Sequence, residues 1–527
     1  MVTLAKIPPQ WILPEAVLEE AAAMRNITGP FIRKLLNEEE VTITEAPTAQ
    51  LVGNIRTRQY SAEEVAAAYC KRAAFAHQLN NCLHQIFFQD AIQQVVNLDR
   101  QLKETGEFAG PMHGVPVSLK DQFHVKYAAE TTMGYVSWVG TFEGAQGTGR
   151  GFHDQSQLVE ELHSLGAVLY CKTSCPQTLL LGETVNNLIG RTKNPVNQLL
   201  SCGGESGGES ALLALGASNV GVGTDIGKHI PAKIPPSWAF KNASDYCWRG
   251  IGGSARIPAA FCGTCSIKPS CGRFSYRTVA NSHLPICNRF HVDVIAGVEA
   301  HNDISAFNRA LVTRPIRRAY ALARRKGVYP GKLCFAVLRN DRMVQPHPPI
   351  ARGIEIVVDA VKHSGDTVIE WEPPSHEEAL ALNVSERFGN GPKDPVPTLE
   401  LLDIVLKHKA YVARYLEYWA STDKHTGTGR AVDAVILPVA PHAAVIPGEY
   451  FSLRAVLPVT KADKNVDVAH GDFKPLTPND EVNWRAYNAD TYDGAPVCVQ
   501  LMGRKFEEER ILGIAMRVEE RLRKLTK

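Results

Sequence analysis

Three glycine-rich segments constrain this chain more than anything else in it: Ser201-Cys-Gly-Gly-Glu-Ser-Gly-Gly-Glu, Gly223-Thr-Asp-Ile-Gly, and Ile251-Gly-Gly-Ser-Ala-Arg-Ile-Pro-Ala-Ala-Phe. A glycine pair directly before a serine lets the backbone approach a ligand closely and aim successive N–H groups at one point. A tetrahedral oxyanion needs that arrangement, which makes Ser254 the candidate nucleophile and Ile251, Gly252 and Gly253 the candidate oxyanion donors. Phosphate binding is the alternative, since Gly221-Val-Gly-Thr-Asp-Ile-Gly-Lys looks superficially like a nucleotide loop. Its spacing is wrong: the first glycine of a Walker pattern falls on Val222 and its hydroxyl residue on His229.

Apolar runs organise the rest. Val115-Pro-Val-Ser-Leu, Ala167-Val-Leu-Tyr-Cys, Cys334-Phe-Ala-Val-Leu, Ala434-Val-Ile-Leu-Pro-Val and Val497-Cys-Val-Gln-Leu read as buried strands. Helical patterns separate them, among them Gln155 to Leu165 and the charged amphipathic stretch Phe506 to Lys524. From Pro14 to Leu102 the chain reads as helical, with Ser61-Ala-Glu-Glu opening a capped stretch. The alternation predicts an α/β fold, a sheet with helices on both faces. With no internal repeat or low-complexity linker, the expectation is one domain over residues 1–527. It divides into a helical N-terminal layer (1–105), a catalytic core (106–300), and the remaining sheet with the C-terminal helix (301–527).

Charge and cysteine usage narrow the function classes. The 57 basic and 55 acidic residues nearly cancel and no basic run stands out, so nothing favours nucleic acid as a partner. No apolar run is long enough to span a bilayer, and Met1-Val-Thr-Leu-Ala-Lys lacks the charged-then-apolar order of a secretion signal. A cytoplasmic protein with no membrane partner is expected. The twelve cysteines are dispersed, which suits reduced thiols. Cys262-Gly-Thr-Cys265 has no second cysteine pair or histidine spacing to complete a metal site, so neither metal nor cofactor is expected.

Gly114-Val-Pro-Val-Ser-Leu-Lys120, then Gly203-Gly-Glu-Ser-Gly-Gly, then Gly252-Gly-Ser-Ala-Arg-Ile-Pro follow the motif order of the amidase signature family. The chain resembles that family across most of its length, and within it the fungal acetamidase type. The resemblance implies the amidase signature fold, with a large mixed central sheet and a helical N-terminal region. It also implies a catalytic set of a lysine, a serine held by a cis peptide bond, and a nucleophilic serine. Lys120 is then the base and Ser254 the nucleophile for hydrolysis of a linear carboxamide, a small-molecule substrate. Within a glycine-rich buried loop, Asp225 and Arg256 become the ion pair bracing the nucleophile turn, and Met133, Gly134, Tyr135, Thr178 and Leu179 the substrate-facing candidates. A homodimer stays open.

Two departures from the family pattern bear on activity. Glu205 stands where the family has its bridging serine, with Ser206 beside it. A carboxylate there is expected to hold Lys120 as ammonium and take the base out of service. The alternatives are that Ser206 bridges after a small shift of register, or that Glu205 itself accepts the proton. The second departure is the interruption from Gly227 to Ile251 inside a motif that relatives keep continuous. Codons allowed at Gly227-Lys228 and Ile251-Gly252 include splice signals, and excision restores Gly-Thr-Asp-Ile-Gly-Gly-Ser, so the segment reads as a retained intron. Residues 383–395 and 450–458 read as shortened. Two functions therefore stand, an amide hydrolase and a catalytically silent relative with a binding or scaffold role.

Overall fold

The N-terminal helices start where side chains cap them. Asn37 and Ser61 each accept the N–H of Glu40 or Glu64, whose carboxylates return to the cap N–H, so helices Glu38–Glu45 and Ala62–Asn80 both begin on a capping box. Each cap is worth about 1 kcal/mol. Helix Ala62–Asn80 ends on Asn81 in the left-handed conformation and buries Val65, Tyr69 and Ala73. The computed structural model describes residues 2–127, 130–141, 151–179, 181–228, 253–269, 274–280, 288–296, 331–382, 398–447, 457–469, 471–504 and 507–525.

Six strands form the first sheet, in the order β1 (Leu83–Ile86), β3 (Val168–Thr173), β2 (Pro116–Lys120), β6 (Val220–Lys228), β8 (Asn288–Ala296) and β7 (Cys265–Ile267). β2 runs parallel to β3 and β6, whereas β1, β8 and β7 pair antiparallel. Between them, β4 (Val185–Asn186) and β5 (Gly190–Arg191) make a small hairpin. The second sheet has the order β10 (Thr367–Glu370), β9 (Cys334–Val337), β11 (Ala434–Pro438), β13 (Pro496–Met502) and β12 (Leu457–Lys461). Its edge strand β12 lies near β7, the edge strand of the first sheet. Helices Pro348–His363 and Arg256–Cys262 and the C-terminal helix Glu508–Leu525 supply the apolar faces packed on β9, β11 and β13.

All five apolar runs expected to be strands are strands, and the helix patterns near residues 157 and 508 are helices. The helical expectation for Pro14 to Leu102 is corrected at one point, because β1 interrupts it. β1 is buried along its whole length, so no alternation marks it, and His84 and Gln85 hide its apolar character. β6 is a second correction. Gly223-Thr-Asp-Ile-Gly is a strand paired with β8 through Lys228, not a loop. Residues 229–252, 383–395 and 450–456 lie outside the described residues.

Candidate active site

Register brings the site together. β2 pairs with β6 through Ser118 opposite Gly221 and Leu119 opposite Val222, so Lys120, at the C-terminal end of β2, emerges beside Gly223 and Thr224 in the middle of β6. Open sheets place ligand crevices at that end. Lys120 is fully buried, and its Nζ donates to Thr224 Oγ1 at 2.9 Å. The Thr224 hydroxyl donates in turn to Gln122 Oε1, while Gln122 Nε2 donates to Tyr276 and to the Ala280 carbonyl.

Glu205 and Ser254 meet on the other side of Lys120. Gly203 and Gly204 both have positive φ, and a Cβ on Gly204 would lie 2.5 Å from Pro258 Cδ, so only glycine lets this turn lie flat on helix Arg256–Cys262. The turn delivers Glu205 to Ser254, whose Oγ donates to Glu205 Oε2 at 2.9 Å. Lys120 Nζ lies 4.0 Å from that same oxygen. Burial raises the Glu205 carboxyl, Lys120 and the Ser254 hydroxyl offset part of the rise, and the group is pushed up to about 7.

Ser206 does not bridge. Its N–H donates to the Ser254 carbonyl at 2.9 Å, and its hydroxyl faces the Thr224 backbone instead of the Ser254 hydroxyl. Among the described residues there is no cis peptide bond, so the cis-held serine that the resemblance implies has no counterpart here. Asp225 stands between two cations. Arg256 binds its Oδ2 at 3.0 Å, and Lys268 does so at 2.9 Å. Burial pushes the Asp225 carboxyl up, but these two cations and the Gly253 N–H hold it well below the usual carboxylate range. Asp225 lies on a strand, not in the loop expected from its glycines.

The oxyanion assignment needs one correction. The Gly253 N–H donates to Asp225 Oδ1 at 2.8 Å, so it is already committed and does not serve as an oxyanion donor here. Ile251 and Gly252 lie outside the described residues. Sequence reasoning missed Thr224, Gln122 and Lys268. Lys268 follows the apolar run Cys265-Ser-Ile much as Lys120 follows the run Val115-Pro-Val-Ser-Leu, which is the one signal that points to it.

Of the substrate-facing candidates, Met133 and Leu179 come together with Cys175 and Ala280 in a small buried apolar cluster, and Tyr135 packs on its edge. The backbone of Gly134 passes so close to Gln177 that a Cβ would meet its nitrogen at 2.9 Å. Thr178 lies in the 3-10 turn Gln177–Leu179; its side chain is outside the described residues. Asp121 holds the cluster beside Lys120 by accepting the N–H groups of Thr132 and Met133. His84, Asp121 and Cys175 bring ligand-type atoms within 4.8 Å of one another. Lys172 Nζ already stands 3.2 Å from Asp121 Oδ1, so the carboxylate has its cation. Cys262 and Cys265 are buried thiols. No described helix is long and apolar enough to cross a membrane.

Comparison with known proteins places this geometry in context. The amidase family model matches residues 64–234 and 250–389 and leaves 235–249 unmatched between them. Acetamidase of Aspergillus oryzae is 34% identical over 560 aligned positions, covering 97% of this chain and 95% of that protein. That alignment is longer than the 527 residues of this chain, so the relative carries stretches this chain lacks. Acetamidase of Emericella nidulans is also 34% identical, covering 98% of this chain and 95% of its own. Among solved structures, a fatty acid amide hydrolase superposes with a TM-score of 0.75 at 24% identity, over 98% of this chain and 93% of that one. A bacterial aryl acylamidase gives 0.62 at 17% identity, over 90% and 96%. Both share the fold.

Proposed function

The chain belongs to the amidase family and is an amide hydrolase, and from that premise we propose that it cleaves a linear carboxamide to a carboxylate and ammonia through an acyl-enzyme on Ser254. The observation that carries this reading is the hydrogen bond from Ser254 Oγ to a buried carboxylate backed by a buried lysine. A serine hydroxyl is a weak nucleophile until an adjacent acceptor takes its proton. Here the acceptor is in place, and the carbonyl of an amide entering the crevice meets Ser254 at the start of helix Arg256–Cys262. Attack gives a tetrahedral intermediate, ammonia departs, and water then releases the acid.

The acetamidase relatives suggest a small linear amide, and we assign Met133, Leu179 and Tyr135, which cluster beside Asp121, to the acyl side of the site. We place the protein in the cytoplasm, as one domain. Ammonia release from acetamide, an anilide and a longer acyl amide, each measured against Ser254→Ala, tests the proposal. Release above that control supports it. No release from a cooperatively melting sample supports the silent reading instead.

A further inference from the structure

We propose that Glu205 takes the Ser254 proton and later returns it, with Lys120 remaining a fixed positive charge behind the carboxylate. This rests on the amide-hydrolase reading above and specifies its proton-transfer group. A lysine base working through a bridging hydroxyl needs one group that accepts from the nucleophile and donates to the lysine. Neither Glu205 nor Ser206, the two candidates for that place, makes both bonds. Glu205 Oε2 accepts from Ser254 at 2.9 Å, but its 4.0 Å separation from Lys120 Nζ suits an ion pair and is too long for a hydrogen bond. The Ser206 hydroxyl faces β6.

The surroundings of Lys120 fit the fixed-charge role. Thr224 Oγ1 spends its hydrogen on Gln122 Oε1, whose orientation is set by the amide nitrogen's bonds to Tyr276 and Ala280. Thr224 therefore accepts from Lys120 and offers it no hydrogen. Burial disfavours the ionised carboxylate, and the nearby Lys120 charge offsets part of that cost.

The proton count closes. Ionised Glu205 removes the Ser254 proton as Oγ bonds to the amide carbon, leaving an oxyanion and a neutral carboxylic acid. That acid gives its proton to the departing nitrogen as the C–N bond breaks, and ammonia leaves. The carboxylate next deprotonates water attacking the acyl carbon, and the resulting acid returns the proton to Ser254 Oγ as the product acid is released. Lys120 stays charged throughout.

The groups facing Glu205 are Lys120 at the end of β2, Cys175 after β3, Asp225 on β6, Lys268 after β7 and Ser254. Together with burial they put its titration at about 7, where a base serves neutral-pH chemistry well.

The test uses the full chain, with acetamide as probe from about pH 5 to about pH 9. The turnover number should rise through about 7 and then level. Glu205→Gln and Glu205→Ser should each lose roughly 100-fold to 10,000-fold in kcat with little change in KM, and that rising limb should disappear. If Glu205→Ser is as active as the unsubstituted chain, or more so, a serine relay to Lys120 works and Glu205 is an obstruction, which overturns the proposal. Labelling of Ser254 by a fluorophosphonate needs no variant. A rate half-maximal near 7 supports Glu205, while one still climbing at about pH 9 points to lysine and overturns it. Failure of the amide-hydrolase reading looks different, because the unsubstituted chain then releases no more ammonia than Ser254→Ala.

Discussion

Glu205 and Glu209 flank the start of helix Gly207–Ala214, and burial pushes both carboxyls up to about 7, yet the two regions do different work. Glu209 is sealed. Ser118 of β2 and Thr173 of β3 donate to its two oxygens, the Val222 backbone adds a third bond, and Gly221 lies so close that a Cβ would come within 2.1 Å of Oε1. It ties one helix to three strands. Glu205 accepts from Ser254, has Lys120 at ion-pair distance, and keeps 8% of its surface accessible. Similar titration in two neighbouring carboxyls thus says little about role. What distinguishes them is whether the donors are framework hydroxyls or the proposed nucleophile.

The sharpest break of this comparison is on turnover. Glu205→Gln should cost roughly 100-fold or more in kcat, whereas Glu209→Gln should stay within about threefold per folded molecule, as steady-state ammonia release reports. Comparable losses from both would erase the distinction. Stability should sort the pair the other way. Glu209→Ala strands the Ser118 and Thr173 hydroxyls and leaves a cavity, an expected cost of about 3 kcal/mol in urea unfolding. Glu205→Ala removes a buried carboxyl whose partner Ser254 keeps slight solvent access, and should cost about 1 kcal/mol or less at neutral pH.

The pH dependence of stability has a definite sign. Each carboxyl titrates at about 7 when folded against an ordinary 4.5. The stabilisation from the raised value is therefore complete below 4.5 and is lost as pH rises through about 7. Each group contributes at most about 1.4 kcal/mol per pH unit in that window. Urea midpoints should fall from about pH 5 to about pH 7.5, and less steeply in Glu209→Gln.

The smallest effect concerns the interruption. Asp225 Oδ1 accepts the Gly253 N–H across 28 positions of sequence. Once residues 228–252 are removed, the same contact becomes the short-range bond that an aspartate side chain commonly makes within a turn. A chain lacking residues 228–252 should melt within about 1 kcal/mol of the full chain or above it. Loss of cooperative unfolding would show that the segment is integral to the fold.

Legibility in the sequence followed burial and local pattern. β2, β3, β9, β11 and β13 are apolar runs covered on both faces, and such runs announce themselves. β6 carries Gly221, Gly223 and Gly227, which read as a loop; the bareness of Gly221 in fact makes room for Glu209. Lys120, Glu205 and Ser254 were legible from motif order. Thr224 and Gln122 were not, because their roles follow from the β2–β6 register, which only the folded sheet sets. The commitment of the Gly253 N–H to Asp225 was likewise invisible, since nothing local links positions so far apart.

We propose that Ser254 Oγ, activated by its carboxylate neighbour, is the atom that attacks. Mass spectrometry of the full chain after fluorophosphonate treatment addresses it directly. The account predicts a single adduct on Ser254, lost in Ser254→Ala and strongly slowed in Glu205→Gln. An adduct on Ser206 or Ser210 with Ser254 unmodified would contradict it.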